Sequence, residues 1–249
     1  MSRHIDGGPT TNYDADATRL EIVTTCVGFD DLLEFNLKHN IGECDTYIVV
    51  TSHADKKTQA VARNYGAICV QTDLFKKNGR SFNKGAAINA GFDYFQYNGW
   101  RLHLDSDIML PPSFYRMLFN HSSLDRNCIY GADRLNVIGR KNIDRLQEPS
   151  RQHSYRLLLA PNHGTPAHRL ICSLRGYLPC GYFQLWHASC QKSYPYSLGT
   201  AAHDDMAFAA AWPEANRRLL PGTFVYHTCL TPPVVGEHWD GKARKVRLK

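Results

Sequence analysis

The chain has 249 residues, 43% of them hydrophobic, a size and composition that suit one large α/β domain. No apolar run approaches membrane-spanning length, and Met1–Arg19 is polar, without the apolar stretch of a secretory leader, so a cytoplasmic protein with a flexible arm over residues 1–19 is expected. The net charge is +6, and five of those six charges fall in the last eight residues, on Lys242, Arg244, Lys245, Arg247 and Lys249. A basic tail of this kind either meets phosphates, on a nucleotide, a nucleic acid or a lipid surface, or stays solvated.

Leu20–Cys26 predicts a first strand, on its Val and Thr content. Phe29–Asn40 follows with apolar residues at helical spacing and acids near its start. Asp45–Thr51 predicts a second strand and Ala54–Tyr65 a second helix, with Gly66 placed to end it. Ala67–Thr72 predicts a third strand, Lys84–Tyr94 a third helix rich in small residues, and Trp100–Leu104 a fourth strand. This alternation is the pattern of a parallel sheet with crossover helices. The second half is less regular. Asn127–Ala132, Gly181–Trp186 and Thr223–His227 predict strands, and Pro161–Pro166 a loop. An apolar helix is predicted to begin at His203 or Asp204 and to stop before Pro213. Eight cysteines include no C-x-x-C pair, and free thiols are expected.

Parallel strands bring their C-terminal ends to one edge, where open α/β sheets bind ligands. Candidate chemistry collects there: Thr25 near the end of the first strand, Asp73 after the third, Asn83 and Lys84 opening the third helix, and Asp105-Ser106-Asp107 after the fourth strand. On a strand, carboxylates at i and i+2 point the same way, and two hard oxygens beside a phosphate suit Mg²⁺ or Mn²⁺. No G-x-G-x-x-G follows the first strand and no G-x-x-x-x-G-K-[ST] occurs, which argues against a dinucleotide dehydrogenase and a P-loop enzyme.

The series strand, helix, strand, helix, strand, then N-K-G-x-A-x-N-x-G over Asn83–Gly91, then an apolar strand ending in D-x-D, resembles the GT-A glycosyltransferases, closest to family 2-like members. Gly181–Trp186, Asp205-Met-Ala-Phe208, Val225–His227 and His238–Lys242 extend the resemblance, which covers about residues 20–243 and leaves 244–249 as a basic tail. It implies a single GT-A domain, with a Rossmann-like nucleotide-binding half and a mixed acceptor-binding half. The implied activity is metal-dependent, inverting transfer of a hexose or similar sugar from a nucleotide sugar to a hydroxyl acceptor. Carried onto this chain, Asp105 would face the donor's sugar hydroxyls. Asp107, with Asp105 beside it and His227 as a further ligand, would hold Mn²⁺ or Mg²⁺, the imidazole favouring manganese. Asp73 would accept from uracil, which favours a UDP donor. Thr25, Asn83, Lys84 and Lys242 would line the donor site, with capping and a surface charge as the plain alternative for Asn83 and Lys84. Asp205 would be the general base, selected by D-x-x-F, with Asp204 the fallback. Trp186 and Trp239 are candidates to stack on a sugar, or else are core residues. Two other readings stay open. One is a nucleic-acid-associated protein, including a glycosyltransferase acting on a modified base in DNA. The other is a sugar nucleotidyltransferase, disfavoured because no Gly- and Lys/Arg-rich cluster follows the first strand.

Overall fold

The computed structural model describes residues 16–79, 82–121, 124–146, 170–172, 176–195, 200–230 and 247–248. The predicted loop over 161–166, together with Trp239 and Lys242, lies outside the described residues.

Three βα units open the chain. They comprise β1 (Leu20–Thr25), α1 (Asp30–Asn40), β2 (Thr46–Thr51), α2 (Lys56–Asn64), β3 (Ile68–Gln71) and α3 (Lys84–Phe92), leading to β4 (Trp100–Leu104). All six residues of β1 and of β2 are buried, as expected of strands covered on both faces. Next come β5 (Ile108–Met109), α4 (Phe114–His121), β6 (Ile129–Ile138), α5 (Arg140–Arg145), β7 (Leu170–Cys172), β8 (Gly176–Leu178), β9 (Phe183–His187), α6 (Ala201–Ala209) and β10 (Arg217–Cys229). Eight strands form one sheet in the order β3-β2-β1-β4-β9-β6-β10-β5, and β7 and β8 form a separate ribbon. The first four pair in parallel. Beyond them β9 lies antiparallel between β4 and β6, β10 runs parallel to β6, and β5 is antiparallel to β10. The first half therefore has the expected parallel α/β order, and the second half is mixed.

The core lies on both faces of the sheet. Leu20 and Ile22 pack with Leu33 and Leu37 of α1, whereas Val23, Ile48 and Val50 face Ala87 and Ile88 of α3. The small residues of α3 have a direct packing reason. A Cβ on Gly91 would come within 2.7 Å of Val23 Cγ2 and 2.8 Å of Val50 Cγ2, so the helix lies on the sheet at a distance only glycine permits.

Several expectations change. α6 begins at Ala201, ahead of the predicted start, because Thr200 is the N-cap and His203 Nδ1 accepts the Thr200 N–H at 3.2 Å. β6 and β10 run well beyond their predicted lengths. The last residues of the expected N-terminal arm are packed: Asp16 accepts from Asn98 N–H, Thr18 O accepts from the Tyr115 hydroxyl, and Arg19 pairs with Asp45. The basic tail also contributes to the fold. Arg247 pairs with Asp30 at 2.5 Å, Leu248 N–H donates to Asp31, and the Leu248 side chain is buried among Leu32, Phe35 and Met109. One of the five tail charges is thereby committed to α1.

α1 also fixes the turn that follows β4, through two buried asparagines. Asn36 Nδ2 donates to Ser106 O at 3.0 Å and to Thr228 Oγ1 at 2.9 Å. Asn40 Nδ2 donates to Ile108 O at 2.8 Å, and its Oδ1 accepts from Leu110 N–H at 2.9 Å. An alanine at 40 leaves one buried carbonyl and one buried N–H unpaired. Asn40→Ala should therefore lower stability by about 2–4 kcal/mol, read as a fall in the urea midpoint with an unchanged m-value.

Candidate functional site

Asp105 and Asp107 do not lie on a strand. They sit in a tight turn between β4 and β5, closed by Ile108 N–H donating to Asp105 O at 3.1 Å. On a strand they would share a face. In the turn they diverge, Asp105 toward α3 and α6, Asp107 toward β10.

Lys84 stands on the Asp105 side. It is the first residue of α3, its side chain almost wholly buried, and its Nζ lies 2.8 Å from Asp105 Oδ1 and 2.9 Å from Asp205 Oδ2. Burial alone would pull the ammonium down, but the two carboxylates outweigh it and hold Lys84 above its ordinary value. Burial raises Asp105, with Lys84 opposing and Asp107 adding to the rise. Asp205 is pushed up to about 7, first by burial, against Lys84, and with help from Asp105 and Asp204. Its Oδ1 is buried without a hydrogen-bond partner. A carboxylate held near neutrality in its proton affinity suits general-base work.

The neighbouring acid does something else. Asp204 is fully buried, and its Oδ2 accepts from Gly85 N–H at 3.0 Å. It satisfies a free donor in the first turn of α3 and ties α6 to that helix. Asp204 and Asp205, adjacent in sequence, thus serve the backbone and the crevice respectively.

On the other side, His227 Nε2 lies 3.1 Å from Asp107 Oδ2. The Asp107 carbonyl accepts from both the N–H and the hydroxyl of Thr228, which fixes the turn against β10. His227 Nδ1 lies 3.0 Å from Asn136 Oδ1, an oxygen that can only accept, and also 3.0 Å from Cys229 Sγ. With Nδ1–H donated to Asn136, Nε2 turns a lone pair toward a carboxylate, an arrangement completed by a proton or a cation. The donor set of one imidazole and one carboxylate fits a divalent ion that takes its remaining ligands from substrate. The expected third ligand does not join it: Asp105 is turned to Lys84, and among the described residues no three His, Cys, Asp or Glu side chains converge as a ready metal cage.

The other expected site residues divide by burial. Thr25 ends β1 at the ligand edge and is buried, and Asp73 is exposed just after β3. Asn83 is the buried N-cap of α3, its side chain accepting from Ala86 N–H. Its oxygen is committed to the helix. Trp186 is not a stacking platform. It is fully buried in the core against Phe92 and Phe208, so no sugar can lie on its ring. Sequence reasoning missed Tyr194, His103 and Gln184, which lie buried behind the carboxylates. Their only sequence signal was a histidine inside an apolar strand.

No protein-family model and no curated protein matches the chain. Solved structures do. Glucosyl-3-phosphoglycerate synthase from Mycobacterium tuberculosis, in complex with Mn²⁺, UDP-glucose and phosphoglyceric acid, aligns with a TM-score of 0.51 at 15% identity, over 91% of this chain and 76% of that one. The same enzyme with Mg²⁺ and UDP aligns with a TM-score of 0.50 at 13% identity, over 89% and 75%. The fold of this chain is the GT-A fold.

The raised Asp205 has a consequence for stability. Its folded value of about 7 stands above the ordinary 3.8, so the folded state holds that proton more tightly than the unfolded chain. The resulting contribution is complete below the ordinary value and is lost as pH rises through about 7. Asp205→Asn removes this titration. Relative to wild type it should gain stability as pH rises from 5 to 8, checked by denaturant unfolding at the two pH values.

Proposed function

We propose that the chain is a metal-dependent, inverting glycosyltransferase that moves a hexose from a UDP-linked donor to a hydroxyl acceptor. The observation that carries this reading is the division of labour around one turn: Asp107 meets His227, while Asp105 is joined through Lys84 to Asp205. A nucleotide sugar has a diphosphate at one end of the scissile bond and a sugar at the other. The two sides of the turn match those two ends. Two solved structures of the same fold, holding UDP with Mg²⁺ and UDP-glucose with Mn²⁺, support a uridine nucleotide and a divalent ion.

Asp107 and His227 would hold the ion, with Asn136 keeping the imidazole lone pair turned toward it. A divalent ion there would neutralise charge on the departing diphosphate. Asp105 accepts from donor hydroxyls. Asp205 takes the proton of the acceptor hydroxyl as that oxygen bonds to the anomeric carbon and the carbon–oxygen bond to UDP breaks. One displacement inverts the centre. Lys84 keeps the two carboxylates from repelling each other apart and holds Asp205 in register with the sugar.

The test is turnover of UDP-glucose with and without Mn²⁺, followed by NMR of the released or transferred sugar. Mn²⁺-dependent cleavage with inversion is expected. Asp107→Ala should remove the Mn²⁺ response. Asp205→Asn should lower kcat by about 10²–10⁴-fold while UDP binding, measured by calorimetry, stays within about threefold. A wild-type chain that binds no UDP and cleaves no nucleotide sugar, whether or not Mn²⁺ is present, sinks the reading.

A further inference from the structure

Behind the Lys84 pair, one residue outside any helix or strand touches every element that delivers it. Tyr194 is 3% exposed. Its main chain is clamped to α3, with Tyr194 N–H donating to Asn89 Oδ1 at 2.8 Å and Asn89 Nδ2 donating to Tyr194 O at 2.8 Å. Its ring stacks on Phe208 of α6, three residues beyond Asp205, with centroids 4.0 Å apart and planes 3° from parallel. Its hydroxyl reaches β4 and β9 together, donating to Gln184 Oε1 and lying 2.8 Å from His103 Nδ1.

The proton count on this chain is fixed. A phenol has one proton, and the amide oxygen of Gln184 can only accept it. The hydroxyl must therefore accept from His103, which puts the imidazole proton on Nδ1. Gln184 carries the chain forward, its Nε2 donating to Pro179 O at 3.0 Å and to the main-chain carbonyl of Asp205 at 2.9 Å. His103 stands two residues before Asp105 on the strand that ends in the turn. Asp105 and Asp205 are thus joined twice, in front through Lys84 and behind through His103, Tyr194 and Gln184.

We propose that Tyr194 is a positioning residue whose hydroxyl sets the Lys84–Asp205 contact relative to Asp105. Its catalytic consequence rests on the glycosyltransferase reading, but the positioning does not. The hydroxyl joins two strands by hydrogen bonds of fixed length, while its ring and main chain lock the helices that carry Lys84 and Asp205. Loss of the hydroxyl takes the donor from Gln184 Oε1, so the amide whose Nε2 holds Asp205 O is no longer fixed in orientation. A shift of this kind costs reaction rate more than donor affinity.

Tyr194→Phe keeps the stack and the clamp and removes only the hydroxyl. Its crystal structure is expected to show the Lys84 Nζ–Asp205 contact opened beyond hydrogen-bond distance, with the Asp107–His227 pair unchanged. In UDP-glucose turnover with Mn²⁺, kcat should fall between about ten- and a hundredfold while UDP affinity stays within about threefold. Gln184→Met cuts the same chain at its other end and should repeat both results, so a folding defect in one variant does not mask the outcome. A Tyr194→Phe structure with the Lys84–Asp205 contact intact overturns the proposal, as does an unchanged kcat or a loss confined to UDP affinity. A wild-type chain that neither binds UDP nor turns over is a failure of the glycosyltransferase reading alone, and the two crystal structures still decide the positioning.

Discussion

One buried ammonium shared by two carboxylates organises this crevice. Lys84 cannot be removed from between Asp105 and Asp205 without leaving two acids facing each other in a poorly solvated space, a situation in which at least one must bind a proton. Buried ion pairs in general add little net stability over apolar residues of the same volume, because desolvation offsets their attraction. Its effect is specificity of arrangement, since the lysine comes from α3, one acid from the end of β4 and the other from α6. Three elements distant in sequence must be in place before the charge is balanced. Asp204 repeats the logic in the backbone, its carboxylate closing the first turn of α3 on the same α6 that presents Asp205.

The turn between β4 and β5 then divides the chemistry. Its carbonyls are held by Asn36 and Asn40 from α1, and the Asp107 carbonyl by Thr228 from β10. With its backbone fixed from both sides, the turn can present one carboxylate to each side of the crevice. The separation matters because a cation pulls on a carboxylate. If Asp105 and Asp107 shared one face, Lys84 and His227 would compete for the same oxygens, and neither pair would have a defined geometry. Divergence gives the ammonium and the imidazole separate partners.

Much of this was legible in the sequence, for reasons that are local. Alternating apolar strands and small-residue helices report burial directly, and the strand–helix order implies which strand ends share an edge. The D-x-x-F resemblance points to Asp205 rather than Asp204, and in the structure Asp204 Oδ2 accepts from Gly85 N–H. What was not legible depends on long-range contact. Asn36 and Asn40 look like ordinary polar positions on a helix, because their partners are about 70 or more residues away. Glu21 reads as a flaw in an apolar strand until its carboxylate is seen to accept from the N–H groups of Gln96 and Tyr97. Trp186 has the composition of a sugar platform and the position of a core residue, and only burial distinguishes them. Asp107 points away from the expected side because strand periodicity ends at Leu104, three residues before it.

Glycine shows the same limit from the opposite side, since its contribution is the space it leaves. Gly181 lies in the turn between β8 and β9, and a Cβ built there would overlap the carboxyl group of Asp205. Asp205 can stand against that turn only because no side chain occupies the place. The approach also explains how the carboxylate becomes buried enough to be pushed toward neutrality while keeping Lys84 within hydrogen-bond distance. With any larger residue at 181, the carboxyl group or the turn would have to move from its present place. The place in which burial raises the proton affinity of Asp205 is thus open to it because position 181 carries no side chain.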